Sequence, residues 1–491
     1  MSLILAIDQG TSSTKTIIFD EAGKALFKTT EPLKNHYLDG NRVEQEPEVI
    51  YQNVLLSVKR CLRGFAADGG DASLIKACGI SNQRETLVLW DKDGSPLYNA
   101  VVWQCKRSVD VCARLESEGM GEKINEKTGL IIDPYFSGTK VIWLYENEPK
   151  IKDAIDRGEA NFGNVDTWLL YKLTGGKSYM TDYTNASRTM FFNLKGLDWD
   201  RELLADFGLS NLNLPELKPS SYNFGSTSLD GLLDHEISVS AMIGDSHAAA
   251  FGEGCFEPGN AKATLGTGSS ILMNIGGEPK GSKNGMVSTI CWSTEDRVDY
   301  ALEGIIVSAG ATIEWVKNQL GFFDHPHELE SICRSLEDNG GVYIVPAFSG
   351  LGAPHWQMNR KASIEGLSFD STKEHIIRAA VESVPYQIKD VIVAMEADSG
   401  TPLSELKIDG GITSNKFVVQ FLADLLDRTV TNIEISDVSA LGAGYLAGLN
   451  AGVYESIDQL KTLNQTSTST LAGSDAERVQ GYYQGWKKAI G

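Results

Sequence analysis

No stretch of the 491 residues approaches 18 uninterrupted apolar positions, which excludes a membrane-spanning helix. The apolar start, Leu3–Ile7, is too short for a secretory leader and lacks its small-residue end. Nor do the cysteines pair in sequence: there are seven, at positions 61, 78, 105, 112, 255, 291 and 333, with no CxxC spacing. An odd count without that spacing excludes a disulfide frame and a zinc ribbon, and reads as reduced thiols in a cytoplasmic protein. Positive charge is scarce, with 44 Lys and Arg against 65 Asp and Glu, a net charge of −21 and a sequence pI near 4.8. Nucleic acid and anionic membranes are therefore not expected partners. A phosphorylated ligand is not excluded, because such pockets are built locally against the global field.

Two common nucleotide motifs are also missing. The "GGKS" at 175–178 has Tyr171 where a P-loop needs its first glycine, and "GTGSSI" and "GLGAPH" lack the last glycine of GxGxxG. His325 and His327 form an H-x-H on a proline-containing loop and read as surface residues.

What is present is an alternation of short apolar runs and helical patterns, which predicts an α/β chain. Strands are expected at Leu3–Ile7, Ile75–Ile80, Leu87–Trp90, Tyr343–Val345 and Leu406–Ile408, and helices at Pro47–Arg60 and Glu374–Ala397. Pro385 predicts a kink or break near Glu382 in the second helix. The polar run 464–474 reads as a loop. At this length two domains are the prior. "AIDQGTSSTKTIIF" (6–19) and "ATLGTGSSILMNIG" (263–276) share one pattern, apolar, then a Gly/Thr/Ser turn, then apolar, which suggests a duplicated architecture with a cleft between its halves. The small-residue run "GDSHAAAFG" (244–252) is where the halves should meet, as a segment able to turn and slide.

Three turns look able to cradle phosphates: Gly10–Ser13, Gly266–Ser269 and "DGGITSN" (409–415), each after a predicted strand. Asp8 heads the first. A carboxylate beside phosphates is repelled unless a divalent cation lies between, so Asp8 predicts a magnesium–nucleotide site. A second cluster comprises "SNQRETLVLW" (81–90), "VVWQCKR" (101–107), "DPYFSGTK" (133–140) and "GDSH" (244–247). Arg84 and Glu85 are adjacent, so both serve one pocket only if the backbone bends between the flanking strands. Together they can donate to and accept from vicinal hydroxyls, with Trp103 and Tyr135 as an apolar wall and a phenol, and Asp245 as a base.

These segments, with "VDTW", "TDYTNASRTM", "YALEG", "GLGAPHW" and "DGG", resemble the FGGY carbohydrate kinases, most closely their glycerol-phosphorylating members. Both family signatures are matched, by "YFSGTKVIWLYEN" (135–147) and "ASIEGLSFDSTKEHIIRAAVE" (362–382), and matches run from Ile7 to about Gly448. The resemblance implies two ribonuclease-H-like domains of the actin and hexokinase type flanking a catalytic cleft for Mg-ATP and a small polyol or sugar. Residues 1–246 would carry the polyol site and phosphate loop, and 247–491 the nucleotide site. It places Arg84, Glu85, Trp103, Tyr135, Asp245, Ser246 and Ser270 at the acceptor, with Asp245 as catalytic base. Asp8 and Asp245 fall on the metal, and Thr11, Ser12, Ser13 and Lys15 on the phosphates. Thr267, Gly310, Glu314, Gly411 and Asn415 fall on the nucleotide.

Four positions depart from the glycerol-specific pattern. Ser246 replaces a glutamine, Ser270 an aromatic ring, Lys15 an arginine and Glu314 a glutamine. The two serines predict a pocket open to a longer acceptor, a tetritol such as erythritol or threitol, or a ketopentose such as xylulose. A homodimer or homotetramer is the expected assembly. A non-kinase actin-like ATPase could use the same cradles, but has no use for the hydroxyl-binding cluster.

Overall fold

The computed structural model describes residues 2–357, 359–463 and 467–491. Two sheets dominate it, and they repeat one plan. In the first, the hairpin strands Leu3–Gln9 and Ser13–Phe19 pair antiparallel, and Ala25–Pro32 extends the antiparallel side. On the other flank Leu3–Gln9 runs parallel to Ile75–Asn82, which runs parallel to Ile237–Gly244. In the second sheet Asn260–Leu265 and Ser269–Gly276 form the hairpin, Val298–Ile306 extends it antiparallel, and Glu405–Asp409 then Thr429–Ile433 add in parallel. The short echo between residues 6–19 and 263–276 thus marks the same hairpin in each half. All five expected strands form.

The expected loop at 464–474 contains an edge strand instead, Ser467–Thr470, antiparallel to Thr429–Ile433; residues 464–466 lie outside the described residues. Pro385 does not break its helix either: Lys373–Ser399 is continuous. Around it the Glu382 carboxylate accepts from Arg378, Tyr386 and Asn339 at 2.7, 2.9 and 3.1 Å, and Gln387 Nε2 donates to the Ser383 carbonyl. Burial on nearly every face outweighs one lost backbone hydrogen bond.

The run 244–252 does not turn. Asp245–Gly252 is a helix, as three consecutive alanines favour, so a division after Ser246 falls inside an element. This helix crosses Val438–Asn450 so closely that a Cβ on Gly442 would overlap the Ala248 carbonyl, and one on Gly252 the Val438 carbonyl. The two helices bind the halves together. Phe251, from the first, lies 5.3 Å from Trp292 of the second sheet, while the later helix lies against the first sheet, where a Cβ on Gly79 would overlap the Ala443 carbonyl.

Gly442→Ala is accordingly expected to cost about 1–3 kcal/mol through overpacking, read as a fall in Tm. Gly481→Ala, in the helix Ala476–Ile490 with nothing near its would-be Cβ, should leave Tm unchanged or raised. All seven cysteines are free and buried. Among the described residues no helix is long and apolar enough to cross a membrane.

Candidate active site

The backbone does bend where Arg84 and Glu85 require it, between the strands Ile75–Asn82 and Leu87–Trp90. Both side chains are almost fully buried, yet both line one cavity of about 730 Å³ with Trp103, Tyr135, Asp245, Ser246 and Ser270. Arg84 Nη2 donates to the Tyr135 hydroxyl at 3.2 Å, and its Nε lies 3.5 Å from Asp245 and 3.7 Å from Glu85. Trp103 stacks edge-on against Tyr135 and donates from Nε1 to Thr11 Oγ1 at 2.8 Å. The indole therefore ties Tyr135 to the first Gly/Thr/Ser turn. Burial pushes the Tyr135 phenol well up, keeping it protonated as a donor.

Sequence reasoning missed two charged residues that complete this wall. Glu303 lies 2.9 Å from Arg84 and 2.8 Å from Arg188, and Arg188 Nε donates to Glu85 at 2.7 Å. Ser270 Oγ donates to Glu303 at 3.2 Å. Burial alone would push the Glu303 carboxyl up, but Arg188 and Arg84 hold it well below the usual carboxylate range. A signal existed: Glu303 stands in the apolar strand VDYALEGII, where a buried charge demands a partner. Arg188 stands within "TNASRTM", a segment quoted above for its resemblance.

Asp245 opens its helix, where the helix dipole favours a negative charge. Burial in the cleft walls raises its pKa, Arg84 opposes the rise and Glu85 adds to it. Asp8, near the end of Leu3–Gln9, accepts from Ser81 Oγ at 3.0 Å. Its carboxyl is pushed up to about 6, chiefly by burial and further by Asp245 and Asp437, with Lys15 and Ser81 opposing. The two carboxylates expected to share a cation thus feel each other's charge. Among the described residues no cluster of three or more His, Cys, Asp or Glu side chains could cage a metal. Two repelling carboxylates with hydroxyls nearby suit a magnesium ion held mainly by phosphate and water, and the site fits it.

Lys15 Nζ is 3.0 Å from Asp437 and 4.0 Å from Asp8, an ion pair across the two halves. In the first turn the Gly10 amide closes on the Ser13 carbonyl at 2.9 Å, while Thr11 lines the cavity and Ser12 is exposed. In the second turn the amides of Ala309 and Ala311 donate to the Thr267 carbonyl at 2.9 and 3.0 Å, and that of Gly310 to Gly266 at 3.0 Å. A Cβ on Gly310 would sit 2.7 Å from the Gly266 carbonyl, so the glycine is needed to dock its helix on the turn. In the third turn Asn415 Oδ1 caps the helix Lys416–Leu426 by accepting from Phe417 and Val418. Gly266, Gly268 and Asp409 line the cavity; Thr267, Glu314, Gly411 and Asn415 do not, and Glu314 and Gly411 are exposed. His325 and His327 are exposed as expected.

Two sheets of one plan, with Arg84, Glu85, Asp245, Gly266 and Gly268 lining one cavity, match the class of ATP-dependent kinases with an alcohol group as acceptor. The chain belongs to the FGGY family of carbohydrate kinases: the family's N-terminal domain matches residues 3–252 and its C-terminal domain residues 261–451. Glycerol kinase of Thermoanaerobacter pseudethanolicus is 44% identical over 488 residues, 99% of this chain and 97% of that protein. Glycerol kinase 2 of Thermotoga maritima is 41% identical over 491 residues, 100% of this chain and 98% of that protein. Among solved structures, Plasmodium falciparum glycerol kinase with ADP superposes with a TM-score of 0.94 at 35% identity, covering 100% of this chain and 98% of that one. Xylulose kinase from Lactobacillus acidophilus shares the fold at a TM-score of 0.89 and 19% identity, covering 100% and 98% of the two chains.

Proposed function

We propose that this enzyme transfers the γ-phosphoryl group of ATP to a primary hydroxyl of a small polyol, with glycerol as the acceptor. The observation that carries the reading is the bend at residues 83–86, which turns a donor, Arg84, and an acceptor, Glu85, into the same cavity as Asp245. Full-length relatives named glycerol kinase, at 41–44% identity, support the choice of acceptor.

In this reading Arg84 and Glu85 hold vicinal hydroxyls, and the Trp103 ring covers the carbon chain. Tyr135 donates to a further oxygen, and Asp245 takes the proton of the attacking hydroxyl. Thr11, Ser12 and Ser13 lie along the phosphates, with Lys15 behind them. Thr267, Gly310, Glu314, Gly411 and Asn415 surround the nucleoside. Asp8 and Asp245 hold Mg²⁺, which when bound supplies the positive charge that lets phosphates lie beside carboxylates. Positioning and electrostatics carry this chemistry, so the crossed helices that join the halves must let the cleft close over ATP and acceptor. Residues 1–246 then bear most of the acceptor site and 247–491 the nucleotide site. Seven buried, unpaired thiols support a cytoplasmic location, and the exposed Leu367 and Phe369 on one loop support assembly as a homodimer or homotetramer.

A second reading has one observation in its favour. Ser270 is small, lines the cavity and is bonded to Glu303, which leaves room and a hydroxyl for a longer acceptor. An ADP-release assay comparing kcat/KM for glycerol, erythritol, threitol and xylulose decides between them. Glycerol is expected to lead; a clear preference for a tetritol or xylulose selects the second reading. ATP hydrolysis indifferent to every acceptor points to an actin-like ATPase and overturns both. Ser270→Phe should shift the ratio of kcat/KM toward glycerol by roughly 5- to 150-fold, the worth of one apolar wall.

A further inference from the structure

The floor of the cleft holds a cation that none of these roles uses. Lys262 lies on the strand Asn260–Leu265 and is 1% exposed, yet its side chain lines the same cavity as Asp245, Thr264 and Asp409. Residues 262 and 264 share one face of the strand, and Lys262 Nζ donates to Thr264 Oγ1 at 3.1 Å. Among the described residues no carboxylate oxygen comes within the 4.0 Å of an ion pair. Lys407, its partner in register on the neighbouring strand, is different: its Nζ donates to the Glu253 and Gly254 carbonyls at 2.6 and 3.1 Å.

The charge of Lys262 is felt by Asp245 and Glu253, but no acid among the described residues pairs with it directly. Glu253 is fully buried and neither carboxylate oxygen has a hydrogen-bond partner; burial, with Asp409 adding, pushes its carboxyl up to about 8, so it is largely neutral at pH 7. Asp409 Oδ1 is likewise buried without a partner. A buried ammonium whose single bond is to a neutral hydroxyl is unfavourable unless an anion completes it. The cavity it lines is where that anion can enter.

We propose that Lys262 is a phosphate-binding residue, its ammonium receiving an oxygen of the terminal phosphates of ATP while Thr264 holds the side chain in place. This rests on the placement of ATP in the cleft given above. It assigns to the second half's floor a positive charge that offsets the negative charge of the phosphates opposite Asp8.

Calorimetric titration of ATP and of adenosine into the wild type and Lys262→Met separates a phosphate contact from a structural role. Lys262→Met is expected to weaken ATP by at least ~10-fold, as loss of a charge-assisted bond does, and to leave adenosine within ~2-fold. Turnover should fall while the acceptor KM stays within ~3-fold. Lys262→Arg, which keeps the charge, should retain most of the preference for ATP, and Thr264→Val should lie between. Equal weakening of ATP and adenosine, or no weakening of ATP, overturns the proposal. Methionine removes a buried charge at similar length, so the fold should survive; if it does not, the ATP-to-adenosine ratio in Lys262→Arg and Thr264→Val decides by the same criterion. An inert acceptor panel together with a Lys262-dependent ratio would refute the proposed function and leave this inference standing.

Discussion

Asp245→Asn is expected to lower kcat by 10²–10⁴-fold, roughly what a positioned base contributes, while ATP and acceptor binding change by less than about threefold. The substitution is nearly isosteric. The Oδ1 that accepts from the Ser246 amide at 2.7 Å survives as the amide oxygen, and so does the neighbouring contact in which Ser439 Oγ donates to the residue 245 carbonyl at 3.1 Å. What disappears is the group that accepts a proton. The pH profile provides a second readout. The Asp245 pKa is raised above the ordinary aspartate value by burial in the cleft walls, against the pull of Arg84. A base works only when ionised, so wild-type kcat/KM should fall as pH drops through that raised pKa, at a higher pH than an exposed aspartate would give. The residual activity of Asp245→Asn should lack this acid limb. A variant retaining a tenth of wild-type turnover, or the same acid limb, would show that the proton goes elsewhere.

Glu303→Gln should have the next largest effect, and on stability as well as activity. The carboxylate sits between two buried guanidiniums, Arg84 and Arg188, with no exposed surface on its side chain or on that of Arg188. Removing one partner of a buried ion pair costs about 3–5 kcal/mol because a charge is left uncompensated; here two arginines lose their counter-charge. Arg84 is also the proposed hydroxyl donor, so its displacement should lower kcat/KM for the polyol by at least ~100-fold. Ser270→Ala is the control: it removes only the 3.2 Å hydrogen bond to Glu303 and should cost about 1 kcal/mol. Thermal unfolding with acceptor kinetics on both variants tests the pair. A Glu303→Gln protein as stable and active as Ser270→Ala would mean that Glu85 and Asp245 alone balance the arginines.

How far the chain could be read in advance depended on whether the information was local. The hairpins at 3–19 and 260–276 were legible because a turn of Gly, Thr and Ser between apolar runs admits few other conformations. Arg84, Glu85, Trp103, Tyr135 and Asp245, which line one cavity, were singled out because their types suit a polyol. Arg188 and Glu303 escaped because their partners are up to 219 residues away: the apolar strand around Glu303 signals that a partner is needed but not which residue supplies it. The run 244–252 was misjudged for a related reason. Small residues permit a turn as readily as a tight helix crossing, and only the Gly442 surface opposite selects the helix.

The order of residues by itself determined the α/β class, the duplicated hairpins and the chemical character of the candidate site, since each follows from periodicity, turn chemistry or side-chain type over a few positions. The tertiary structure alone decided the charge network behind Arg84, the ion pair of Lys15 with Asp437 and the hydroxyl-only hydrogen bonding of Lys262. Burial and pairing of charges depend on which distant strands share a face, and that is settled only when the two sheets and their crossed helices come together.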